Sequence, residues 1–162
     1  MKSDTSLIYW DSCLFLSYIN GEPGRAEIVE AIWDEIDRDK NRVITSTIAI
    51  VEVAYANHER ANKMLSLDIE TRIDAMWSDP NISLVELNYQ IAAIAKDLIR
   101  DAIPNGWSLR SKDAIHLASA LWINRNVLPV KEFFTYDTSL QKYQAMIGIH
   151  INEPHVAQPK LL

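Results

Sequence analysis

Four acidic residues stand where a carboxylate is hard to explain as surface decoration. They are Asp11 in IYWDSCLFL, Glu52 in STIAIVEVAYA, Asp113 in LRSKDAIHLASAL and Asp137 in FFTYDTSL. Asp11 and Asp137 directly follow apolar runs of strand character; Glu52 and Asp113 sit inside apolar runs of helical character. A fold that gathered them would concentrate negative charge in one pocket, which is unfavourable unless a divalent cation neutralises it. The chemistry implied first is metal-dependent hydrolysis of phosphodiesters.

Each acid also has a plainer role. An Asp after a strand commonly caps a helix or forms a turn, and Asp113 in a first helical turn meets the helix dipole favourably. Glu52 is harder to dismiss, being the only charged residue between Val43 and Asn57. A lone buried Glu must stay protonated or find a partner. Four plain roles holding together are less comfortable than any one of them.

The elements that would position these acids alternate. Leu7–Trp10 reads as a strand, Ser12–Ile19 as a helix closed by the turn Asn20–Gly24, and Arg25 to Asp39 as a helix with Val29, Ile32, Trp33 and Ile36 on one stripe. Val43–Thr45 is a second strand, and Ser46 or Thr47 can cap the apolar helix after it. Ala61–Trp77 reads as one helix with Leu65, Ile69, Ile73 and Met76 as its stripe. Ile82–Leu87 is strand three, Tyr89–Asp101 a helix, Ser111 to Asn124 another, and Phe133–Tyr136 strand four. Thr138–Tyr143 is a short helix and Met146–Ile151 strand five. Strands separated by helices imply right-handed crossovers and a parallel sheet covered on both faces. The expected fold is therefore α/β, a three-layer sandwich around about five short parallel strands. In such a sheet the C-terminal strand ends share one edge, and ligands bind where the winding reverses. Convergence of the four acids is geometrically available.

Composition sets the bounds. At 162 residues the chain holds one domain with a real core, expected over residues 1–151, with residues 152–162 as a mobile tail. No apolar run is long enough to cross a membrane, and the N-terminus does not read as a secretory signal, so the cytoplasm is the expected compartment. The single cysteine, Cys13, excludes an internal disulfide and a thiolate zinc cluster. A net charge of −6 argues against coating nucleic acid through a broad basic surface, but not against meeting it at a small metal-bearing site.

Four blocks carry a family likeness: the strand running into Asp11 with Ser12 beside it, the Thr47-Ile-Ala-Ile-Val-Glu52 helix, Arg110-Ser-Lys-Asp113-Ala-Ile-His-Leu-Ala118, and Thr135-Tyr-Asp137. In order and separation they resemble the PIN-domain ribonucleases, most closely the VapC-type toxins of toxin–antitoxin pairs. The third block is the most specific. Tyr-Trp before Asp11 and Cys13 after Ser12 depart from the smaller aliphatic residues and Thr-or-Ser-with-Asn more usual there. Neither departure touches a carboxylate.

The resemblance implies a Mg²⁺- or Mn²⁺-dependent endoribonuclease. Asp11, Glu52, Asp113 and Asp137 would hold one or two ions, with Asp11 and Asp113 as primary ligands and Glu52 positioning the water or a second ion. Asp137 would act through a metal-bound water, and Ser12 and Thr135 would orient a carboxylate or phosphate oxygen. Arg110 and Lys112 would meet substrate phosphates. Products would carry 5′-phosphate and 3′-hydroxyl ends. The implied partners are RNA, a second copy of the chain and a cognate antitoxin. The antitoxin would lie across the cleft and could insert an Arg or Lys beside the acids; the Ala61–Trp77 helix and the Asn20–Gly24 loop are its candidate contacts. His116 reads as a hydrogen-bonded packing histidine, and Trp107 as a loop residue able to stack on a base. A haloacid-dehalogenase-like phosphatase would need an acid where Cys13 stands; a receiver domain, a Lys after the last strand. A Walker A loop and a G-x-G-x-x-G turn are absent from the sequence. The surviving alternatives are an RNA-processing PIN-like nuclease that is not a toxin, and a non-catalytic PIN-like binding or scaffold module.

Overall fold

The computed structural model describes residues 5–39 and 41–157. Strand β1 (Leu7–Trp10) is fully buried, which its continuous apolar sequence demands of a central parallel strand. It pairs in parallel with β2 (Arg42–Ser46) on one side and β4 (Val130–Phe134) on the other. Strand β3 (Ile82–Val85) adds outside β2, and β5 (His150–Asn152) outside β4. The order β3-β2-β1-β4-β5 reverses its winding between β1 and β4. The crevice therefore opens where Asp11 and the segment reaching Asp137 leave the sheet.

Alternation along β1 divides the core into two layers. Ile8 and Trp10 pack against α1 (Ser12–Asn20), α2 (Ala26–Asp39) and α5 (Leu67–Trp77). Leu7 and Tyr9 pack against α6 (Tyr89–Ala102) and α7 (Ser111–Asn126). Helices on both faces complete the expected three-layer α/β sandwich.

The expected helix over Ala61–Trp77 is two pieces. Helix α4 (Asn57–Asn62) ends at Lys63, whose φ of 51° lies in the left-handed region, and α5 restarts with Ser66 accepting a hydrogen bond from the Ile69 N–H. Glu59, buried, accepts from the N–H groups of both Ala56 and Ser66, and so clamps the corner. Leu65, expected on the stripe, is 86% exposed; Ile69, Ile73 and Met76 pack as expected. Because a non-glycine side chain is strained at Lys63, Lys63→Gly should raise stability by about 0.5–1 kcal/mol, read as a higher urea midpoint.

The fourth strand starts earlier than expected because Val130 already pairs with Leu7. The fifth starts later. Gln144–Ile147 is a helical turn (α8), closed by Gly148 at φ 65°, and only His150–Asn152 reaches the sheet. Of the expected tail, Asn152 belongs to β5, His155 bonds Glu132, and the Ala157 N–H donates to Glu35; residues 158–162 lie outside the described residues.

Candidate functional site

Asp11 leaves β1 and caps α1. Its Oδ1 accepts from the Cys13 N–H at 2.7 Å, and its Oδ2 accepts from the Thr135 hydroxyl at 2.7 Å. The capping role expected of an Asp after a strand is thus present, and the second oxygen is held by Thr135. Thr135, 1% exposed, also accepts from the Asp137 N–H at 3.0 Å, so one hydroxyl ties the Asp11 carboxylate to the backbone that carries Asp137. Asp137 in turn caps the turn Thr138–Tyr143, accepting from the N–H and hydroxyl of Ser139.

Glu52 ends α3 (Ile48–Glu52), the short helix that follows β2. Ser46 Oγ accepts the Ile48 N–H at its start; Thr47 makes no side-chain cap bond. Glu52 Oε1 lies 2.7 Å from His116 Nε2, and Oε2 lies 3.6 Å from Lys112 Nζ. His116 is buried, with its Nδ1 at 2.8 Å from Tyr9 Oη, which itself accepts the Ser46 N–H at 3.1 Å.

Asp113 occupies the first turn of α7 beside Arg110, whose Nε donates to Asp113 Oδ2 at 2.9 Å. A terminal nitrogen of the same guanidinium lies 3.5 Å from Asp137 Oδ2. Arg110 therefore bridges two expected metal ligands, a placement sequence reasoning did not foresee. One path of contacts now runs from Asp11 through Thr135, Asp137 and Arg110 to Asp113. Lys112, on the same turn, carries the path on to Glu52.

A PIN-domain model matches residues 8–145, a span that contains all of these groups. The chain belongs to the PIN-domain family. No curated protein sequence matches it significantly. Among solved structures it is similar to the VapBC2 complex of Rickettsia felis bound to a promoter DNA fragment (TM-score 0.66, 11% identity, 91% of this chain and 98% of that one). It is also similar to VapBC-1 of nontypeable Haemophilus influenzae (0.62, 13%, 91% and 97%) and to a toxin–antitoxin complex of Klebsiella pneumoniae (0.56, 18%, 93% and 99%). At these identities the likeness establishes the fold.

The electrostatics of this PIN domain single out Asp11. Burial pushes its carboxyl above the usual range, only partly offset by the charge of His116 and the hydrogen bonds from Cys13 and Thr135. Among the described residues Asp11 makes no salt bridge. Glu52 behaves oppositely: burial works to raise it, but the hydrogen bond and charge of His116, then Ser12 and Lys112, hold it below the usual carboxylate range. Arg110 is raised by its hydrogen bond to Asp113, with Asp113, Asp137 and Glu52 adding charge attraction.

Among the described residues no three His, Cys, Asp or Glu groups converge as a ready metal cage. Instead Arg110 sits against Asp113 and Asp137, Lys112 lies near Glu52, and the His116 ring hydrogen-bonds Glu52. The two long cations are 72% and 63% exposed and free to swing into water. With them turned away, Asp113, Asp137 and Glu52 would offer carboxylate oxygens alongside the buried Asp11, which makes no salt bridge among the described residues. That chemistry fits a hard divalent cation.

Sequence reasoning missed Tyr9; it read His116 as a hydrogen-bonded packing histidine, and the ring is indeed buried and bonded to Tyr9 and Glu52. The spacing of three from Asp113 put His116 on the same face of α7 and was a usable signal. Tyr9 gave none, since its partner is 107 residues away. Cys13 proves structural: its Sγ accepts the Tyr136 N–H at 3.1 Å, and burial pushes its thiol pKa up. Trp107 is half-buried, in a T-shaped contact with Tyr143 at 5.4 Å between ring centroids.

Proposed function

We propose that this PIN domain is a Mg²⁺- or Mn²⁺-dependent endoribonuclease and the toxin member of a toxin–antitoxin pair. The observation that supports it most is the buried Asp11 carboxylate, tied through Thr135 to Asp137 at the sheet's switch point, with Glu52 and Asp113 neutralised by exposed, displaceable cations. In this reading Asp11, Asp113, Glu52 and Asp137 hold the ion or ions. A bound divalent cation supplies Lewis-acid activation of water and shields charge on the scissile phosphate. Ser12 and Thr135 keep the carboxylates aimed. Arg110 and Lys112, released from the acids, grip phosphates on either side of the scissile bond. Glu52 orients the attacking water through its Oε2.

Similarity to solved toxin–antitoxin complexes supports an antitoxin partner. Met64, Leu65 and Leu67, left exposed by the break between α4 and α5, offer that partner an apolar surface within the region expected to contact it. A basic side chain from the antitoxin would take the position Arg110 holds between Asp113 and Asp137.

The test is cleavage of end-labelled RNA by the purified protein with Mg²⁺, Mn²⁺ or EDTA, with Asp113→Asn as control. Fragments with 5′-phosphate ends, seen only with metal and lost in the control, support the reading. RNA left intact by the wild type under every metal overturns it in favour of a scaffold. Arg110→Ala provides a finer check. Losing an exposed ion pair of about 0.2–1 kcal/mol should tighten Mn²⁺ binding roughly 1.4–5-fold while raising the KM for RNA.

A further inference from the structure

The chain Ser46–Tyr9–His116–Glu52 runs from the centre of the sheet to the acidic cleft. Tyr9 Oη accepts the Ser46 N–H, has the Ser119 and Thr45 hydroxyls beside it, and lies 2.8 Å from His116 Nδ1, to which it can donate its own proton. A ring that accepts at Nδ1 carries its proton on Nε2, and Nε2 lies 2.7 Å from Glu52 Oε1. Tyr9 cannot drift: its ring stacks on Phe133 at 4.9 Å between centroids, and it is fully buried. His116 is equally confined, on a stretch of α7 whose neighbours Leu117, Ala118, Ser119 and Ala120 are all buried.

We infer that His116, with its tautomer set by Tyr9, is the positioning residue of Glu52: it fixes Oε1 and leaves Oε2 as the single carboxylate oxygen presented to the cleft. Glu52 is thereby restricted to one-oxygen contact with a cation or a water. Without the clamp, a side chain with three rotatable bonds at the end of a five-residue helix could chelate through both oxygens or turn away. His116 orients without touching substrate, as partners of ligating groups commonly do. The inference rests on the nuclease reading only for its effect on metal, not for the clamp itself.

The experiment titrates Mn²⁺ calorimetrically into wild type, His116→Leu, His116→Gln and Tyr9→Phe, alongside long-range proton–nitrogen spectra of the histidine rings in metal-free protein. His116→Leu should weaken Mn²⁺ binding about 10–100-fold. His116→Gln, whose amide can donate from the same place, should recover most of that loss and guards against a folding defect in the leucine variant. In RNA cleavage kcat should fall with KM nearly unchanged. The wild-type ring should carry its proton on Nε2, and Tyr9→Phe should mix the tautomers. A leucine variant that binds Mn²⁺ as wild type does, or a wild-type ring protonated on Nδ1 alone, overturns the inference. If wild type takes up no Mn²⁺ at all, the nuclease reading fails and the ring spectrum alone decides the clamp.

Discussion

Asp11→Asn should abolish metal-dependent cleavage and yet make the metal-free protein more stable at neutral pH. The first effect follows from removing a charge that the proposed cation needs; about a 10³-fold loss is the scale expected when one such electrostatic contact goes. The second follows from burial. Asp11 titrates above the ordinary carboxylate range because its charge is costly to bury. A raised folded-state value means its stabilising share is complete below the unfolded pKa, near 3.9, and is lost as pH rises through the folded value. Above the unfolded pKa the wild type bears a burial penalty that the Asn variant avoids. Asn can accept from the Cys13 N–H and donate to Thr135 Oγ1, whose own proton then turns to Cys13 Sγ at 3.5 Å. The gain should be about 1 kcal/mol, or roughly 2–4 °C in Tm for a domain of this size. Thermal scans in EDTA at pH 7.5 and at pH 3.5 check it: the advantage should be present at the first and absent at the second. An Asn variant that melts below wild type at pH 7.5 refutes the account. Glu52 should show the opposite sign. Its depressed value means stability present above the unfolded pKa and lost as pH falls through the folded one, so Glu52→Gln should cost stability at pH 7.5.

Metal addition is the second large effect. A ligand at a hundredfold excess over its Kd stabilises the state that binds it by about 2.7 kcal/mol, or roughly 5–10 °C here. Saturating Mn²⁺ should raise the wild-type melting temperature by that amount, and EDTA should reverse it. Asp11→Asn and Asp113→Asn should lose most of the shift. The contrast matters because Asp11→Asn starts from a higher melting point without metal, so the two curves should cross as Mn²⁺ is added. A wild-type curve indifferent to Mn²⁺ and Mg²⁺ would refute metal binding at this cleft, whatever the assay for RNA showed.

How much of this was legible beforehand depends on the range of the interactions involved. Strand β1 and helix α2 matched their expected positions closely because apolar runs and 3.6-residue stripes are local patterns. The break at Lys63–Ser66 was not visible: nothing in that stretch forbids a helix. It is decided by Glu59, which gathers the backbone N–H groups of Ala56 and Ser66 once the chain has folded against the β1 layer. The fifth strand was misjudged for a similar reason, since Met146–Ile151 is apolar apart from His150 and only Gly148 marks the turn inside it.

The amino-acid order alone determined the alternation of strands and helices, and with it a parallel sheet whose carboxyl edge must gather whatever acids follow β1 and β4. It also determined the four carboxylates themselves, because a charge among apolar neighbours is a local anomaly that needs no coordinates to notice. Only the tertiary structure decided how those charges are held. Arg110 reaches both Asp113 and Asp137, and Tyr9 meets His116 across 107 residues, through contacts that sequence separation conceals. Hydrogen bonds of about 3 Å depend on the final placement of two elements together, and no periodicity within either element encodes that distance.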